Sequence, residues 1–181
     1  MRVLALLSGG KDSVAAVEVA QGHGWDVVAA LRMVPAQDDA HMFHVPNLDL
    51  VPAVADCLGL PLLSAPARPD PDAEVEDLQT AIAAAMREYE LDGIISGALA
   101  SEYQRTRIDA IGHRLGLATF APLWHKEPVA YVASLLHAGY DIRFSRVAAD
   151  GLDASWAGAR LDAPRLQALG GQRMHVAGDG G

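Results

Sequence analysis

Residues 4–14 read Leu-Ala-Leu-Leu-Ser-Gly-Gly-Lys-Asp-Ser-Val, and this stretch decides the fold. The apolar run predicts a buried strand, Ser8-Gly9-Gly10 predicts a tight turn, and the alanine-rich segment 14–20 predicts a helix. Glycine lets the backbone turn sharply and lie close to a ligand. The first N–H groups of a helix have no partners within it, and the helix dipole favours negative charge there. Together with the charge of Lys11, these groups make phosphate the expected occupant.

Strand and helix patterns alternate five times over residues 1–122. Strands are expected at 3–7, 27–33, 60–65, 93–96 and 118–121, and helices at 11–21, 50–58, 71–90 and 101–115. This alternation predicts a five-stranded parallel sheet with helices on both faces. Ligands of such sheets bind at the carboxyl ends of the strands. If the first and fourth strands are neighbours, Ser96-Gly97 therefore lines the same crevice as the glycine turn.

The pattern changes after Pro122. Residues 129–137 and 161–169 predict short helices, and the alternation of Tyr140, Ile142 and Phe144 with polar residues predicts a half-buried strand. We therefore divide the chain into a sheet domain, residues 1–122, and a small α+β appendage, residues 123–181, packed against the sheet.

Composition and charge exclude several classes of protein. The net charge of −9 argues against broad nucleic-acid binding, which needs a basic face. No apolar stretch reaches the ~18 residues of a membrane span, and the first apolar run is too short for a signal peptide, so we expect a cytoplasmic protein. Cys57 is the only cysteine, which rules out an intrachain disulfide. Its apolar helical neighbours, Val54 and Leu58, predict that it is a small buried hydrophobe.

The segment from Ser8 to Ser13 resembles the PP-loop of the ATP pyrophosphatases and lacks the glycine spacing of a Walker sequence. An ordinary glycine turn beside a solvated lysine is the alternative. Further stretches resemble the diphthine–ammonia ligase branch of that family and follow its order along the chain. They are Met42-Phe43-His44, Ser96-Gly97-Ala98 leading into 101–107, Pro122-Leu123-Trp124, and 151–158.

The resemblance implies an adenine nucleotide alpha hydrolase-like fold of the HUP type. It also implies that ATP is cleaved to AMP and pyrophosphate as a carboxylate is adenylated, and that ammonia then displaces AMP to form an amide. In the diphthine ligases the carboxylate belongs to elongation factor 2 carrying diphthine. No glutaminase-like segment is present, so free ammonium is the expected nitrogen donor. A homodimer is compatible with the sequence.

The resemblance also implies roles for individual residues. Lys11 and Asp12 are the expected catalytic residues, and Lys11 is expected at the surface of the turn. Asp12 is the expected Mg²⁺ ligand, because this ion is often bound by one carboxylate plus phosphate oxygens. A first-turn helix acid is the alternative for Asp12. ATP is expected to contact Ser8, Gly9, Gly10, Lys11, Ser13, Arg32, Met33, Ser96 and Gly97. The substrate is expected to contact His44, Tyr103, Gln104 and Arg105, and Tyr103 and Arg105 are expected to be exposed at the helix start. Arg32 and Met33 are also explained as a strand end, and Gln104 as part of a capping box with Ser101.

Two other functions stay open. One is a related enzyme that adenylates a different acceptor, and the other is a nucleotide-binding sensor without turnover. Sulfur transfer to tRNA is disfavoured because Cys57 is the only thiol and the charge is negative. Relatives often have Glu at Asp150 and continue beyond a segment like 178–181. Either the sequence is truncated or this member has lost part of the appendage.

Overall fold

A computed structural model describes residues 1–36, 48–147 and 152–170. His44 and the other residues of the 42–44 stretch lie outside the described residues, as do Asp150 and 171–181. The chain divides into two compact units, Met1–Trp124 and His125–Gly181. None of the helices in the described ranges is long and apolar enough to cross a membrane.

The first unit contains a parallel sheet of five strands in the order β3-β2-β1-β4-β5. The strands are β1 (Arg2–Leu6), β2 (Asp26–Pro35), β3 (Leu62–Ala67), β4 (Gly93–Ile95) and β5 (Ala118–Phe120). The predicted fold is confirmed, and β1 and β4 are neighbours. β2 runs two residues further than predicted, and β3 shifts with it because the two pair in register as far as Pro35 and Ala67.

Four α-helices cover the two faces of this sheet. They are α1 (Lys11–Gly22), α2 (Val51–Cys57), α3 (Pro71–Glu88) and α4 (Glu102–Leu115), and a 3₁₀ turn, Leu48–Leu50, leads into α2. Alternate residues of β1 point to opposite faces, as expected for a strand. Leu4 packs with α3 and α4 residues such as Ile82, whereas Val3 packs with α1 and α2 residues such as Val17.

Capping residues mark the ends of α3 and α4. The Asp70 side chain accepts hydrogen bonds from two N–H groups at the start of α3, and the Ser101 side chain accepts one at the start of α4. Gly116 ends α4 in the left-handed region, with φ of +71°, where glycine carries no steric penalty. The predicted helix to residue 90 stops at Glu88, because Tyr89 is extended.

The second unit contains the helices α5 (Pro128–His137) and α6 (Ala163–Gly170) and a 3₁₀ turn, Ala154–Trp156. The predicted strand through Ile142 is wrong for this part of the chain, which forms only an isolated antiparallel bridge between Arg143 and Arg160. The segment opposite is short, because Gly158 turns the chain at φ of +76°. A ladder therefore cannot extend beyond the bridge.

The prediction that Cys57 is buried is wrong. Cys57 is exposed on α2, whereas Val51 and Ala55 of the same helix are fully buried. A residue two positions after Ala55 lies about 200° around the helix, on the side away from the core.

Candidate functional site

The turn between β1 and α1 leaves the helix start open to a ligand. Gly9 has φ of +77°, and Gly10 is extended and provides the N-cap of α1. Gly10 has no side chain with which to cap the helix, in contrast to the caps provided by Asp70 and Ser101. The start of α1 therefore combines a helix dipole with a glycine N-cap that has no side chain to cap it, which suits an anion.

Two serine hydroxyls hold the turn from inside. The Ser13 Oγ donates to the Gly10 carbonyl oxygen over 2.9 Å and accepts from the Ser8 N–H over 3.3 Å. The Ser8 Oγ lies 3.2 Å from the Ser13 Oγ and accepts from the Gly10 N–H over 3.3 Å. Ser13 is buried. These bonds shape the loop, so the two hydroxyls have a structural function as well as the predicted one.

Two glycines allow close packing around the turn. A Cβ on Gly9 would lie 2.9 Å from the Val51 Cγ2, and one on Gly97 would lie 2.6 Å from both the Asp12 carbonyl carbon and the Ser13 nitrogen. The turn after β4 therefore packs directly against the first turn of α1. The structure therefore brings Ser96-Gly97 and the glycine turn together at the carboxyl ends of neighbouring strands.

Lys11 and Asp12 form an ion pair beside the turn, with 2.9 Å between the Lys11 Nζ and the Asp12 Oδ2. Their side chains are 18% and 16% exposed, so Lys11 is less accessible than the expected surface position. An ammonium group and a carboxylate group therefore lie together at the start of α1.

Arg32 and Met33 have structural explanations at the end of β2. The Arg32 Nε donates to the Ser64 Oγ over 2.8 Å, and its Nη1 donates to the Leu48 carbonyl oxygen over 3.0 Å. Arg32 thereby fixes the 3₁₀ turn that leads to Val51, the residue packed behind Gly9. Met33 is buried in the core on the α3 and α4 side. Contact of either residue with a nucleotide stays a prediction.

The predicted substrate residues occupy the first turns of α4. The Ser101 Oγ accepts from the Gln104 N–H over 3.3 Å. Tyr103 is partly buried against the core, contrary to the expected exposure, and its hydroxyl has no hydrogen-bond partner among the described residues. Its ring lies under the Arg107 guanidinium, 3.4 Å from ring centroid to guanidinium carbon. Tyr103 therefore contributes to packing on this side of α4.

Arg105 lies in a cluster that includes residues not anticipated from the sequence. Its Nε is 3.4 Å from the Asp109 Oδ2, and its guanidinium carbon is 4.7 Å from the centroid of the Trp124 ring. The Asp109 Oδ1 accepts from the Thr119 Oγ1 over 2.5 Å. Asp109 follows Arg105 by four residues, and this spacing of opposite charges on a helix is the signal that could have identified it.

The described ranges contain no group of three or more His, Cys, Asp or Glu residues able to hold a metal ion. Asp12 offers one carboxylate beside the expected phosphate position. This donor set fits an Mg²⁺ ion that takes its remaining ligands from phosphate oxygens and water, and does not fit an ion held by protein alone.

A parallel sheet with a glycine-led helix start where the strand order reverses defines an open α/β protein, the class whose ligands bind at this edge of the sheet. The profile of the diphthamide synthase N-terminal domain matches residues 1–119, and the chain belongs to this family.

Several relatives are similar along most of the chain. A zebrafish (Danio rerio) protein named diphthine–ammonia ligase is 31% identical over 169 residues, which cover 84% of this chain and 66% of the relative. The proteins of that name from Bos taurus and Homo sapiens are each 30% identical, and the matches cover all of this chain and 76% of each relative. The chain thus spans about two thirds to three quarters of these relatives. Among solved structures, a predicted subunit of a tRNA methyltransferase from Methanocaldococcus jannaschii has a TM-score of 0.48 at 17% identity, covering 78% of this chain and 77% of the other.

Proposed function

We propose that this chain is an ATP-dependent, AMP-forming carboxylate–ammonia ligase that acts like the diphthine–ammonia ligases it resembles. The observation that carries the proposal is the close packing of Gly97 on the first turn of α1, which brings the turns after β1 and β4 together. Membership of the diphthamide synthase family supports the same reaction.

The proposed reaction has two steps. In the first, an acceptor carboxylate oxygen attacks the α-phosphorus of ATP, the bond from that phosphorus to the bridging oxygen breaks, and pyrophosphate leaves. In the second, ammonia attacks the carbonyl carbon of the acyl-adenylate, AMP leaves, and the nitrogen loses a proton to give the amide. The β- and γ-phosphates are assigned to the glycine turn, because the open start of α1 can stabilise the negative charge of the leaving pyrophosphate.

Lys11 and Asp12 are assigned to the phosphates. Binding ATP would exchange the Asp12 contact of Lys11 for a phosphate oxygen, and would leave Asp12 to hold Mg²⁺ together with phosphate oxygens. Mg²⁺ would supply charge neutralisation on the phosphates. Ser8, Gly9, Gly10, Ser13, Ser96 and Gly97 are also assigned to ATP, and Arg32 and Met33 are assigned to its adenosine side.

The acceptor is assigned to elongation factor 2 carrying diphthine, with free ammonium as the nitrogen donor and the cytoplasm as the location. Tyr103, Gln104, Arg105 and His44 are assigned to the acceptor. The division into a sheet domain and a substrate domain, and a homodimeric assembly, belong to the same proposal.

The decisive experiment follows ATP labelled at the α-phosphate. The protein is incubated with this ATP, Mg²⁺, ammonium and elongation factor 2 carrying diphthine, and the nucleotides are separated. Labelled AMP that requires both acceptor and Lys11 is expected, and the Lys126→Ala variant serves as the control because Lys126 is the only other lysine. Labelled ADP would contradict the proposed mechanism.

The sensor alternative makes a different prediction in the same experiment. A sensor would bind ATP and return it unchanged with every acceptor. Acceptor-dependent AMP with another carboxylate protein, and none with elongation factor 2, would instead identify a related enzyme with a different substrate.

A further inference from the structure

Outside the glycine turn, Arg105 lies in a cluster with Asp109, Thr119 and Trp124, three residues to which no role has been assigned. We infer that Asp109 and Thr119 are positioning residues, which hold Arg105 on the Trp124 ring so that its free guanidinium edge binds the acceptor carboxylate. This inference rests on the proposed function for the identity of the acceptor, and on the geometry of the cluster for the roles of the residues.

The cluster begins with close packing of α4 on β5. A Cβ on Gly112 would lie 2.3 Å from the Thr119 Cγ2 and 2.9 Å from the Leu117 carbonyl oxygen. The absence of a side chain at Gly112 therefore lets the helix approach the strand, with the Thr119 methyl group beneath it. The Thr119 hydroxyl is then able to donate to Asp109, one turn earlier on α4, over 2.5 Å.

Asp109 uses its two oxygens for two different partners. The Oδ1 accepts from Thr119, and the Oδ2 lies 3.4 Å from the Arg105 Nε. The side chains of Arg105 and Asp109 are 38% and 45% exposed. Because an ion pair this exposed contributes little to stability, the orientation of the guanidinium is the better explanation for the arrangement.

Trp124 fixes the plane of the same guanidinium. The Arg105 guanidinium carbon lies 4.7 Å from the centroid of the Trp124 ring, within the range of a cation–π contact. The Asp109 carboxylate contacts the Nε edge of the guanidinium, and the Trp124 indole packs against one of its faces. The two contacts together restrain the orientation of the guanidinium.

The remaining edge of Arg105 is available. Its Nη1 and Nη2 have no hydrogen-bond or ion-pair partner among residues 1–36, 48–147 and 152–170. Arg107, two residues later, differs because its Nη1 donates to the Tyr103 carbonyl oxygen and its plane covers the Tyr103 ring. A planar pair of N–H donors matches the two oxygens of a carboxylate, so Arg105, and not Arg107, is suited to the acceptor.

The test distinguishes an effect on the position of Arg105, which changes acceptor binding, from a general loss of fold stability, which would also change ATP binding. Acceptor KM and kcat for AMP formation are measured for Asp109→Asn, Thr119→Val and Arg105→Ala, with ATP binding followed by calorimetry. Loss of a hydrogen bond to a charged group predicts a rise of about tenfold in acceptor KM for Asp109→Asn, with ATP affinity unchanged. Thr119→Ser retains the hydroxyl and should stay close to the parent protein. Arg114→Ala, at the other end of α4, is the control for loss of an arginine.

A double variant gives the sharpest result. If Asp109 acts only through Arg105, Asp109→Asn should change acceptor KM less than twofold in a protein that already carries Arg105→Ala. A full tenfold effect in that background would overturn the inference, as would an unchanged KM in the single variant. Arg105→Lys should not rescue the KM, because a lysine lacks the planar fork.

Acceptor binding is measured separately, by calorimetry with elongation factor 2 carrying diphthine. If the parent protein binds it but forms no AMP, the proposed function fails, and the same variants still decide the roles of Asp109 and Thr119 through the Kd. If the parent protein does not bind it, both proposals are overturned. In the free protein, Asp109→Asn should also shift the ¹⁵N–H signal of the Arg105 Nε; an unmoved signal would contradict the positioning role.

Discussion

Gly97 touches the backbone of Ser13 so closely that a Cβ on Gly97 would lie 2.6 Å from the Ser13 nitrogen. The contact joins the turn after β4 to the first turn of α1. It follows from the neighbouring positions of β1 and β4 in the sheet. The shape of the candidate phosphate site thus depends on a residue more than 80 positions away in the chain.

Replacing Gly97 tests this contact. Gly97→Ala forces the added methyl group into backbone atoms that cannot move aside singly, so we expect a loss of about 1–3 kcal/mol in the free energy of unfolding. ATP affinity should fall as well, because the first turn of α1 must shift. Urea unfolding and calorimetry measure the two effects.

Gly22→Ala is the matched control for Gly97→Ala. No atom lies within 4 Å of a Cβ at Gly22, which is the last residue of α1. This variant should leave ATP affinity unchanged and should not destabilise the fold. Equal behaviour of the two variants would show that the contact at Gly97 has no effect on the site.

Ser13 is expected to shape the glycine turn from inside. In Ser13→Ala, the Gly10 carbonyl and the Ser8 N–H each lose a hydrogen bond to the Ser13 side chain, which should cost about 0.5–1.5 kcal/mol. ATP affinity should also decrease. Ser134→Ala removes a hydroxyl that donates to the Tyr131 carbonyl oxygen in α5, and it should leave ATP affinity intact. Thermal unfolding and calorimetry are the measurements, and a wild-type ATP affinity for Ser13→Ala would count against its role in the loop.

Lys11 is expected to act on the nucleotide more than on the fold. Lys11→Ala should reduce ATP affinity by about 10–100-fold, the effect of losing a charged hydrogen bond. The midpoint of urea unfolding should change little, because the pair of Lys11 with Asp12 joins adjacent residues in the chain. Lys126→Ala, at an exposed position, should match the parent protein in both assays. Unchanged ATP binding in Lys11→Ala would remove Lys11 from the proposed site.

The pH dependence of stability should include a contribution from Asp77. The hydrogen bond from the Arg68 side chain is the main cause that lowers the pKa of Asp77 below its ordinary value of 3.8. Because the folded-state pKa is the lower one, the stabilisation is fully present above about pH 4 and is lost as the pH falls through the folded-state pKa. Asp77→Asn should therefore be less stable by about 0.5–1 kcal/mol at pH 7.

The difference between Asp77→Asn and the parent protein should shrink in urea unfolding curves taken progressively below pH 4. Asp56→Asn, at an exposed carboxylate on α2 with no ion pair among the described residues, is the control for loss of a charge. A stability difference that stays constant down to pH 2 would contradict the assignment to Asp77.

The sequence by itself determined the local elements and the class of sheet. The uninterrupted apolar run before Ser8 and the capping residues Asp70, Ser101 and Gly116 act within a few positions of the chain. The strand and the helix ends that they produce can therefore be predicted from residue spacing alone. The parallel sheet follows from the alternation of these elements, because parallel strands require crossovers.

Only the tertiary structure decided which side chains meet and which are covered. The sequence gives no measure of how closely α4 approaches β5 at Gly112, and so it did not indicate the bond between Thr119 and Asp109. It also predicted that Tyr103 is exposed and that Cys57 is buried. In the structure Tyr103 is partly buried against the core, and Cys57 is exposed. Periodicity identifies the apolar side of a helix, whereas burial depends on what the other elements place against it. The strand predicted at Ile142 failed for the same reason, because a strand needs a partner of sufficient length, and the segment that includes Gly158 provides only one bridge.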